Sequence, residues 1–249
     1  MQLTSTNSSI GLIYALKKIF NMKKVICLIP ARSGSSILDK NIKIYKKKPL
    51  IFHSINVALK SKFIKRIIIS TDSLKYKKLI LKNYKKKVEV PFIRPKNISG
   101  DKSSDHSWLK HALVFLKREE NYIPDIVVQL RPTTPNRNVK VVDKAISFFL
   151  KNYKKASSLR SANEFSQPPE KMFRITNGYF KGYFNKKKLV EYYNFPRQKF
   201  AKPYLPNGYI DILKSSIILN SKLLHGNKIL PFITSQTNDI DSLDDFKKK

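Results

Sequence analysis

Cysteine is nearly absent from this chain: Cys27 is the only one, and it lies inside the apolar run of residues 25–29. A single cysteine excludes an intramolecular disulfide framework. Within an apolar strand it is expected to be a buried, inert thiol rather than a nucleophile. Without cysteine pairs, and without the small-residue cleavage site of a signal peptide, we expect the protein to be cytoplasmic.

Long apolar runs are also missing, because no stretch of about 18 apolar residues occurs, which argues against a membrane-spanning helix. The hydrophobic share of 41% in 249 residues still supplies a sizeable core for one large α/β domain. Residues 1–22 are predicted to be an N-terminal extension outside the fold. A weak amphipathic surface anchor is the alternative for this segment. Residues 23–249 are predicted to form the domain.

Acidic residues are scarce: 17 of them face 50 basic residues, for a net charge of +33. Such a charge attracts polyanions, so a basic polyanion- or nucleic-acid-binding protein is one candidate function. Only nine of the basic residues are arginine, the type that nucleic-acid sites favour for bidentate contacts. The lysines are spread along the whole chain, and we interpret them as solvated surface. We therefore expect no specific nucleic-acid partner.

Apolar strands alternate with helical periodicity over the first 150 residues, which predicts βαβ units and a mostly parallel, doubly wound sheet. Beyond residue 157 the pattern loosens. There, aromatic-rich runs flank Asn177 and Gly178, which predicts a hairpin excursion from the sheet. The predicted strands are 25–29, 67–72, 88–93 and 126–130, and the predicted helices are 49–61, 74–84, 107–116 and 139–150.

The first strand ends abruptly in a segment of small residues that carries Arg32. Backbone N–H groups in such a turn can hold a phosphate group, and ligands of open α/β sheets bind outside the carboxyl ends of the strands. A tight strand-to-helix turn without a ligand is the alternative. The segment is Pro30-Ala31-Arg32-Ser33-Gly34-Ser35-Ser36.

Four of the few acidic residues fall within seven positions near the end of the chain: Asp239, Asp241, Asp244 and Asp245. In an extended segment the side chains of Asp239 and Asp241 point to the same side. Two carboxylates there suit Mg²⁺, which usually binds one or two carboxylates together with substrate phosphates. The alternative is a helix cap. We assign Asp239 and Asp241 to the metal and the other two to the start of a helix.

Eight short motifs together resemble one family, and they recur in its order over about residues 24–246. The family is that of the acylneuraminate (CMP-sialic acid synthetase-like) cytidylyltransferases. The resemblance implies a Rossmann-like, three-layer nucleotide-diphospho-sugar transferase fold and a homodimer, with an excursion at about residues 160–205 reaching the partner. The motifs are Ile29-Pro30-Ala31-Arg32-Ser33-Gly34-Ser35, Lys40-Asn41, Ser70-Thr71-Asp72, Arg94-Pro95, Leu130-Arg131-Pro132-Thr133-Thr134-Pro135, Pro196-Arg197-Gln198, Asn207-Gly208 and Asp239-Ile240-Asp241.

The resemblance also implies an activity: transfer of CMP from CTP to the anomeric hydroxyl of a 2-keto sugar acid, with release of pyrophosphate, for surface glycan synthesis. The implied metal at Asp239 and Asp241 is Mg²⁺, with Mn²⁺ as an alternative, and the implied catalytic residues are Arg32 and Lys40. The implied nucleotide-binding residues are Ala31, Arg32, Ser33, Gly34, Ser35, Asn41, Arg94 and Ser103. The implied sugar-binding residues are Arg131, Arg197, Gln198 and Asn207.

The chain departs from the family's usual pattern in two places. The loop before Lys40 is one residue short and lacks its usual lysine, for which Lys102 is a candidate replacement. A catalytically weakened CTP-binding homologue is therefore another candidate function. Arg131 stands where many members have glutamine, and Asp211 where some have tyrosine. Both belong to the sugar half of the site, which favours a related nonulosonic acid over N-acetylneuraminate.

Overall fold

The computed structural model describes residues 23–34, 37–184 and 191–247, so the N-terminal extension predicted for residues 1–22 lies outside the described residues. None of the helices in these ranges is long and apolar enough to cross a membrane. The strands are β1 (Val25–Pro30), β2 (Ile44–Tyr45), β3 (Lys48–Pro49), β4 (Arg66–Ser70), β5 (Ile126–Gln129), β6 (Ser158–Glu164), β7 (Phe173–Thr176), β8 (Tyr179–Gly182), β9 (Tyr204–Lys214) and β10 (Ile229–Ile233). The α-helices are α1 (Leu50–Lys60), α2 (Leu74–Tyr84), α3 (Asp105–Glu119), α4 (Val139–Lys151) and α5 (Ser215–Asn220).

Six strands form the central sheet, in the order β10-β6-β9-β5-β1-β4. β1 pairs in parallel with both β4 and β5, and β6 pairs in parallel with β10. The mostly parallel α/β sheet predicted from the apolar runs is therefore confirmed. β9 lies antiparallel between β5 and β6. Its direction could not be read from the sequence, because a strand buried on both faces is apolar in either orientation.

Helices cover both faces of the sheet and create two apolar cores. Cys27 and Ile29 of β1 belong to one core, while Ile26 and Leu28, which alternate with them, belong to the other. Helices α1, α2 and α4 pack on the first side, and α3 and α5 pack on the second. The predicted burial of Cys27 is confirmed, and this burial raises the pKa of its thiol.

The strand predicted over residues 88–93 is wrong. Only a single parallel bridge forms there, between Glu89 and Ile68 of β4. Pro91 has no N–H to donate to a ladder, so the pairing does not extend further along the chain.

The four predicted helices all form, and α2 has the predicted bounds, Leu74–Tyr84. Helix α3 begins two residues before its predicted start, because the Ser104 hydroxyl accepts a hydrogen bond from the Ser107 amide and caps the helix. The cap places Asp105 in the first turn of α3, from which its carboxylate reaches the functional cleft described below.

The predicted hairpin excursion forms from β7 and β8, which pair as an antiparallel two-stranded sheet. Asn177 and Gly178 connect the strands with φ angles of 53° and 80°, the left-handed conformation that tight hairpin turns require. Ile175, Tyr179 and Phe180 on this hairpin are 72%, 74% and 74% exposed. The hairpin thus presents an apolar surface.

Candidate active site

A cleft of about 330 Å³ opens beyond the carboxyl ends of β1 and β5. Open α/β sheets bind ligands at this edge, where the sequence places the loop after β1. The cleft-lining residues come from that loop, from residues 94–108, from the loop after β5 and from the C-terminal segment. They are Pro30, Arg32, Lys40, Asn41, Arg94, Ile98, Gly100, Asp101, Ser103, Asp105, Trp108, Arg131, Pro132, Thr133 and Asp241.

Contacts to the backbone hold the start of the β1 loop. The buried Ala31 donates its amide hydrogen to the Ser70 carbonyl at 2.9 Å. Asn41 Nδ2 donates to the Arg32 carbonyl at 2.8 Å. The Arg32 side chain reaches Asp101 across the cleft, with 2.5 Å between Nη1 and Oδ1. Arg32 and Asn41 line the cleft, whereas Ala31 supports the loop without lining it.

Ser33 of this loop contacts Asp72 rather than presenting an open amide. The Ser33 amide donates to one carboxylate oxygen of Asp72 at 2.7 Å, and the Ser33 hydroxyl donates to the other at 3.0 Å. A phosphate held by the Ser33 amide must therefore displace Asp72. A side chain at Gly34 would meet no atom within 4 Å, and Ser35 lies outside the described residues. Lys102 is exposed and does not line the cleft.

Lys40 and Asp241 form an ion pair in the wall of the cleft, with 2.8 Å between Nζ and Oδ1. The Lys40 side chain is only 10% exposed, whereas that of Asp241 is 72% exposed. The ammonium group is thus nearly desolvated while it still lines the cleft. A desolvated charge acts more strongly on a bound phosphate than one in water does.

Asp239 and Asp241 flank the buried Ile240, whose amide donates to the Thr133 carbonyl at 2.8 Å. Because side chains alternate along an extended segment, both carboxylates lie on the exposed side. Asp239 Oδ1 accepts a hydrogen bond of 3.0 Å from the Thr134 hydroxyl. Two hard carboxylate ligands fit Mg²⁺, whose other ligands are substrate phosphates and water. The described residues contain no group of three or more clustered metal-ligating side chains.

Asp244 and Asp245 contact residues of the C-terminal segment itself. Asp245 Oδ2 accepts hydrogen bonds from the amides of Asp241 and Ser242, at 3.0 Å and 2.8 Å. Asp244 pairs with Lys247 at 2.9 Å. The helix expected here is a single 3-10 turn, because the Asp245 carboxylate rather than further helical turns satisfies these amides.

Arg94 lies at the base of the cleft and is 3% exposed. Its Nε donates to the Ser70 hydroxyl at 2.9 Å and its Nη2 to the Ser70 carbonyl at 2.5 Å. The Trp108 ring centre lies 5.3 Å from the guanidinium carbon. Burial lowers the pKa of Arg94 to about 10, so the residue stays charged at neutral pH. Ser103 lines the cleft together with Arg94 and Trp108.

Arg131 binds two carboxylates at once. Its Nη2 donates to Asp105 and its Nη1 to Asp211, both at 2.6 Å. Burial alone would lower the pKa of Arg131, but the two carboxylates raise it overall. Asp211 is only 1% exposed, on β9, and needs such a partner. The two sugar-side departures from the family pattern, Arg131 and Asp211, therefore neutralise each other.

A second cleft, of about 630 Å³, adjoins the first and shares Arg131 with it. Asn207 and Asp239 line this second cleft, and so does Arg160 of β6. Asn207 is fixed there by a hydrogen bond of 2.7 Å from its Nδ2 to the Thr234 hydroxyl. Asp239 and Asp241 thus lie on different sides of the boundary between the two clefts.

Arg197 and Gln198 line neither of these clefts. They border a third hollow, which shares the wall of residues 164–166 with the second cleft. Arg197 Nη1 donates to the Ser166 carbonyl at 3.2 Å. The family resemblance implied that Arg197 and Gln198 lie together with Arg131, and the structure does not bring them together. The hydrogen bond to Ser166 holds Arg197 on the far side of the shared wall.

Arg137 is a site-supporting residue that the sequence pattern did not single out. It is 8% exposed and follows the proline-rich turn after β5, in a chain with few arginines. Burial lowers its pKa to about 10. Its five N–H bonds tie the turn that carries Arg131 to the start of the buried part of β9. They donate to the carbonyls of Arg131, Thr134, Gly208 and Tyr209 and to the Ser54 hydroxyl.

We expect Arg137→Met to lower the free energy of unfolding by roughly 3 kcal/mol or more, because it leaves several buried acceptors unpaired. Urea denaturation followed by circular dichroism measures the change. Arg118→Met, at an exposed position of α3, is the matched control and should change little. Equal stability of the two variants would show that the acceptors around Arg137 do not depend on its guanidinium.

Comparisons with known proteins identify the family of the chain. A profile of the family described as "Cytidylyltransferase" matches residues 26–180. The N-acylneuraminate cytidylyltransferase of Escherichia coli O18:K1:H7 (strain RS218 / NMEC) is 30% identical over 90% of this chain and 51% of its own length. The pseudaminic acid cytidylyltransferase of Campylobacter jejuni subsp. jejuni serotype O:23/36 (strain 81-176) is 36% identical over 61% of this chain and 63% of its own length.

A solved structure agrees in fold. The structure of CMP:2-keto-3-deoxy-manno-octonic acid synthetase complexed with CTP has a TM-score of 0.64 at 18% identity, covering 90% of this chain and 95% of that one. The chain thus shares the α/β fold of that structure. The chain belongs to the cytidylyltransferase family. It spans between half and two thirds of the length of the two relatives above.

Proposed function

We propose that this protein transfers CMP from CTP to the anomeric hydroxyl of a 2-keto sugar acid and releases pyrophosphate. The CMP-sugar product would serve the synthesis of a surface glycan. The observation that carries the proposal is the pair of adjoining clefts that share Arg131 and have Asp239 and Asp241 at their boundary. A two-substrate transfer needs two sites that meet at the reacting atoms. Family membership and the named activities of the relatives support the same reaction.

In this proposal CTP occupies the first cleft. Arg94, Ser103 and Trp108 border the cytidine, and Arg32 and Lys40 provide positive charge beside the phosphates. The sugar acid occupies the second cleft, with its anomeric hydroxyl directed toward the boundary. Its oxygen forms a bond to the α-phosphorus of CTP, the bond from that phosphorus to the bridging oxygen of the β-phosphate breaks, and the hydroxyl proton passes to solvent.

Little covalent work falls to the protein in such a transfer, so positioning and charge stabilisation are its main tasks. Lys40, nearly buried and facing the cleft, is oriented by Asp241 and neutralises charge near the α-phosphate. Asp239 and Asp241 are the residues that would hold Mg²⁺, or Mn²⁺ in its place. A divalent ion bound there supplies charge neutralisation on the phosphoryl oxygens.

Pyrophosphate release is the test of the activity. We expect release from CTP that depends on Mg²⁺ and on a sugar acid from a panel of N-acetylneuraminic acid, pseudaminic acid and 2-keto-3-deoxy-manno-octonic acid. UTP in place of CTP is the control for the nucleotide. Release with none of the acids, from folded protein, contradicts the activity. Calorimetric binding of CTP with Mg²⁺ in that case would favour the weakened CTP-binding homologue, and salt-sensitive DNA binding would favour the polyanion-binding protein.

We also propose a homodimer in which the β7–β8 hairpin contacts the partner subunit. The exposed Ile175, Tyr179 and Phe180 form the apolar surface that such a contact buries. Light scattering should give twice the chain mass of 28.9 kDa, and Tyr179→Ser with Phe180→Ser should give the monomer mass. A wild-type protein that stays monomeric at micromolar concentration contradicts this assignment.

A further inference from the structure

The second cleft must supply a cation for its proposed ligand, because a 2-keto sugar acid carries a carboxylate on the carbon that bears the reacting hydroxyl. A carboxylate in a cleft is best held by an arginine, whose planar guanidinium can donate two parallel hydrogen bonds. Arg131 and Arg160 are the arginines that line this cleft in the described part of the chain, and Arg197 lies beyond its wall.

The positive charge of Arg131 is already balanced by two carboxylates. Each of its terminal nitrogens already donates to a carboxylate at 2.6 Å, one to Asp105 and one to Asp211. Its side chain is 23% exposed. A substrate carboxylate bound there as well would be the third negative charge beside one guanidinium, and its repulsion by Asp105 and by the nearly buried Asp211 would weaken its binding.

Arg160 has one carboxylate of the described residues within ion-pair distance, whereas Arg131 has two. Its side chain is 39% exposed, and its Nε lies 3.5 Å from Asp211 Oδ1. Among the described residues, Asp211 is the one carboxylate within ion-pair distance of Arg160, and no hydrogen bond engages the terminal nitrogens of Arg160. The Asp211 carboxylate thus holds the inner edge of the guanidinium and leaves its outer edge for a ligand.

The backbone around Arg160 explains this orientation. Arg160 pairs with Asp211, but the next pairing joins Ala162 to Pro206, so part of β9 loops out between them. The Ser161 hydroxyl accepts the Ile210 amide inside this irregularity, at 2.9 Å. Such bulges redirect side chains near functional sites. The looped segment also brings Asn207 to the cleft wall beside Arg160.

The acids of the second cleft do not cancel this charge. Glu164 pairs with Lys202 at 3.2 Å, and Asp239 accepts a hydrogen bond from the Thr134 hydroxyl. We propose that Arg160 binds the carboxylate of the sugar acid, with Asp211 as the residue that positions its guanidinium. This inference rests on the proposed function and assigns the carboxylate to a residue on β6.

The test compares wild type with Arg160→Gln, each assayed with the sugar acid and with an uncharged analogue of it. For each acid of the three-member panel that wild type uses, KM and kcat are measured with the acid and with its C1 carboxamide, which lacks the charge. We expect wild type to have a KM about 10- to 150-fold higher for the carboxamide, the range of a charge-assisted hydrogen bond. We expect Arg160→Gln to raise KM for the acid by a similar factor and to use acid and carboxamide within about threefold of each other.

Three controls separate this assignment from a general structural role. KM for CTP should stay within about twofold in Arg160→Gln, because the residue does not line the nucleotide cleft. Arg197→Gln should keep the preference for the acid. Arg160→Lys should keep the preference for the acid and raise its KM less than Arg160→Gln does. Lysine retains the positive charge but cannot donate the two parallel hydrogen bonds of a guanidinium.

Three other results would contradict the assignment of Arg160 or the proposed function. A wild-type enzyme that uses the carboxamide as well as the acid overturns the inference without any variant. An Arg160→Gln enzyme with an unchanged KM and an unchanged preference for the acid overturns it as well. Pyrophosphate release with none of the acids, even from wild type, overturns the proposed function itself, and so the two failures are distinguishable.

Discussion

Asp241→Ala will lower kcat by about 10³-fold or more while the fold stays intact, because the change removes a carboxylate that orients Lys40 and that we propose as a ligand of the metal ion. The Asp241 side chain is 72% exposed, so its loss disturbs no core packing. Steady-state pyrophosphate release gives the rate, and thermal unfolding checks the fold. Binding of Mn²⁺ in the presence of CTP, followed by electron paramagnetic resonance, should weaken in the same variant.

Asp244→Ala is the matched control for this experiment. It removes the same side chain three positions away, where the carboxylate pairs with Lys247 outside the cleft. We expect near-normal turnover and Mn²⁺ binding. A fully active Asp241→Ala enzyme would place the metal site elsewhere, and equal losses in both variants would indicate a structural effect on the whole C-terminal segment.

Lys40→Met will lower kcat by about 10²- to 10³-fold, the effect expected of one charged donor if Lys40 stabilises the developing phosphoryl charge as we propose. The Lys40 ammonium is nearly buried and faces the cleft, so water cannot readily replace it. Methionine keeps most of the volume of the stem, so KM for the sugar acid should change far less than kcat. Pyrophosphate release over a range of CTP and sugar-acid concentrations separates the two constants.

Lys43→Met, three residues further along and exposed, is the control for Lys40→Met and should leave kcat unchanged. The double variant Lys40→Met with Asp241→Ala adds a second check. Because the two residues form one ion pair, their effects should be much less than additive. Fully additive effects would mean that Lys40 and Asp241 act on separate steps, and an unaltered kcat in Lys40→Met would remove this residue from the mechanism.

The regular part of the fold could be predicted from the sequence because apolar periodicity is a local property. The run of residues 25–29 and the helical pattern of residues 74–84 each depend on neighbours in the chain, and both became the expected elements. The segment of residues 88–93 is also rich in apolar residues. It does not form a strand because Pro91 lacks the backbone N–H that would continue the pairing with β4. A prediction based on apolar composition does not account for this effect of one residue.

The site was predictable where it depends on sequence order and unpredictable where it depends on distant contacts. The loop after β1 and the Asp239-Ile240-Asp241 segment could be placed at one edge of the sheet, because strand ends and a motif resemblance were enough. The separation of Arg197 from Arg131 could not be predicted, since it depends on a hydrogen bond to the Ser166 carbonyl. Nor could the positions of Arg137 and Arg160, which follow from the course of β9 beside them.

The most direct measurement of the central claim is the mass of the product formed from CTP and a sugar acid labelled with ¹⁸O at the anomeric hydroxyl. The account predicts a CMP-sugar that retains the ¹⁸O in the bond between sugar and phosphorus, together with unlabelled pyrophosphate. Free CMP, or a CMP-sugar that lacks the ¹⁸O although the unreacted sugar acid retains it, would contradict attack by the anomeric oxygen on the α-phosphorus, and with it the role assigned to the two adjoining clefts.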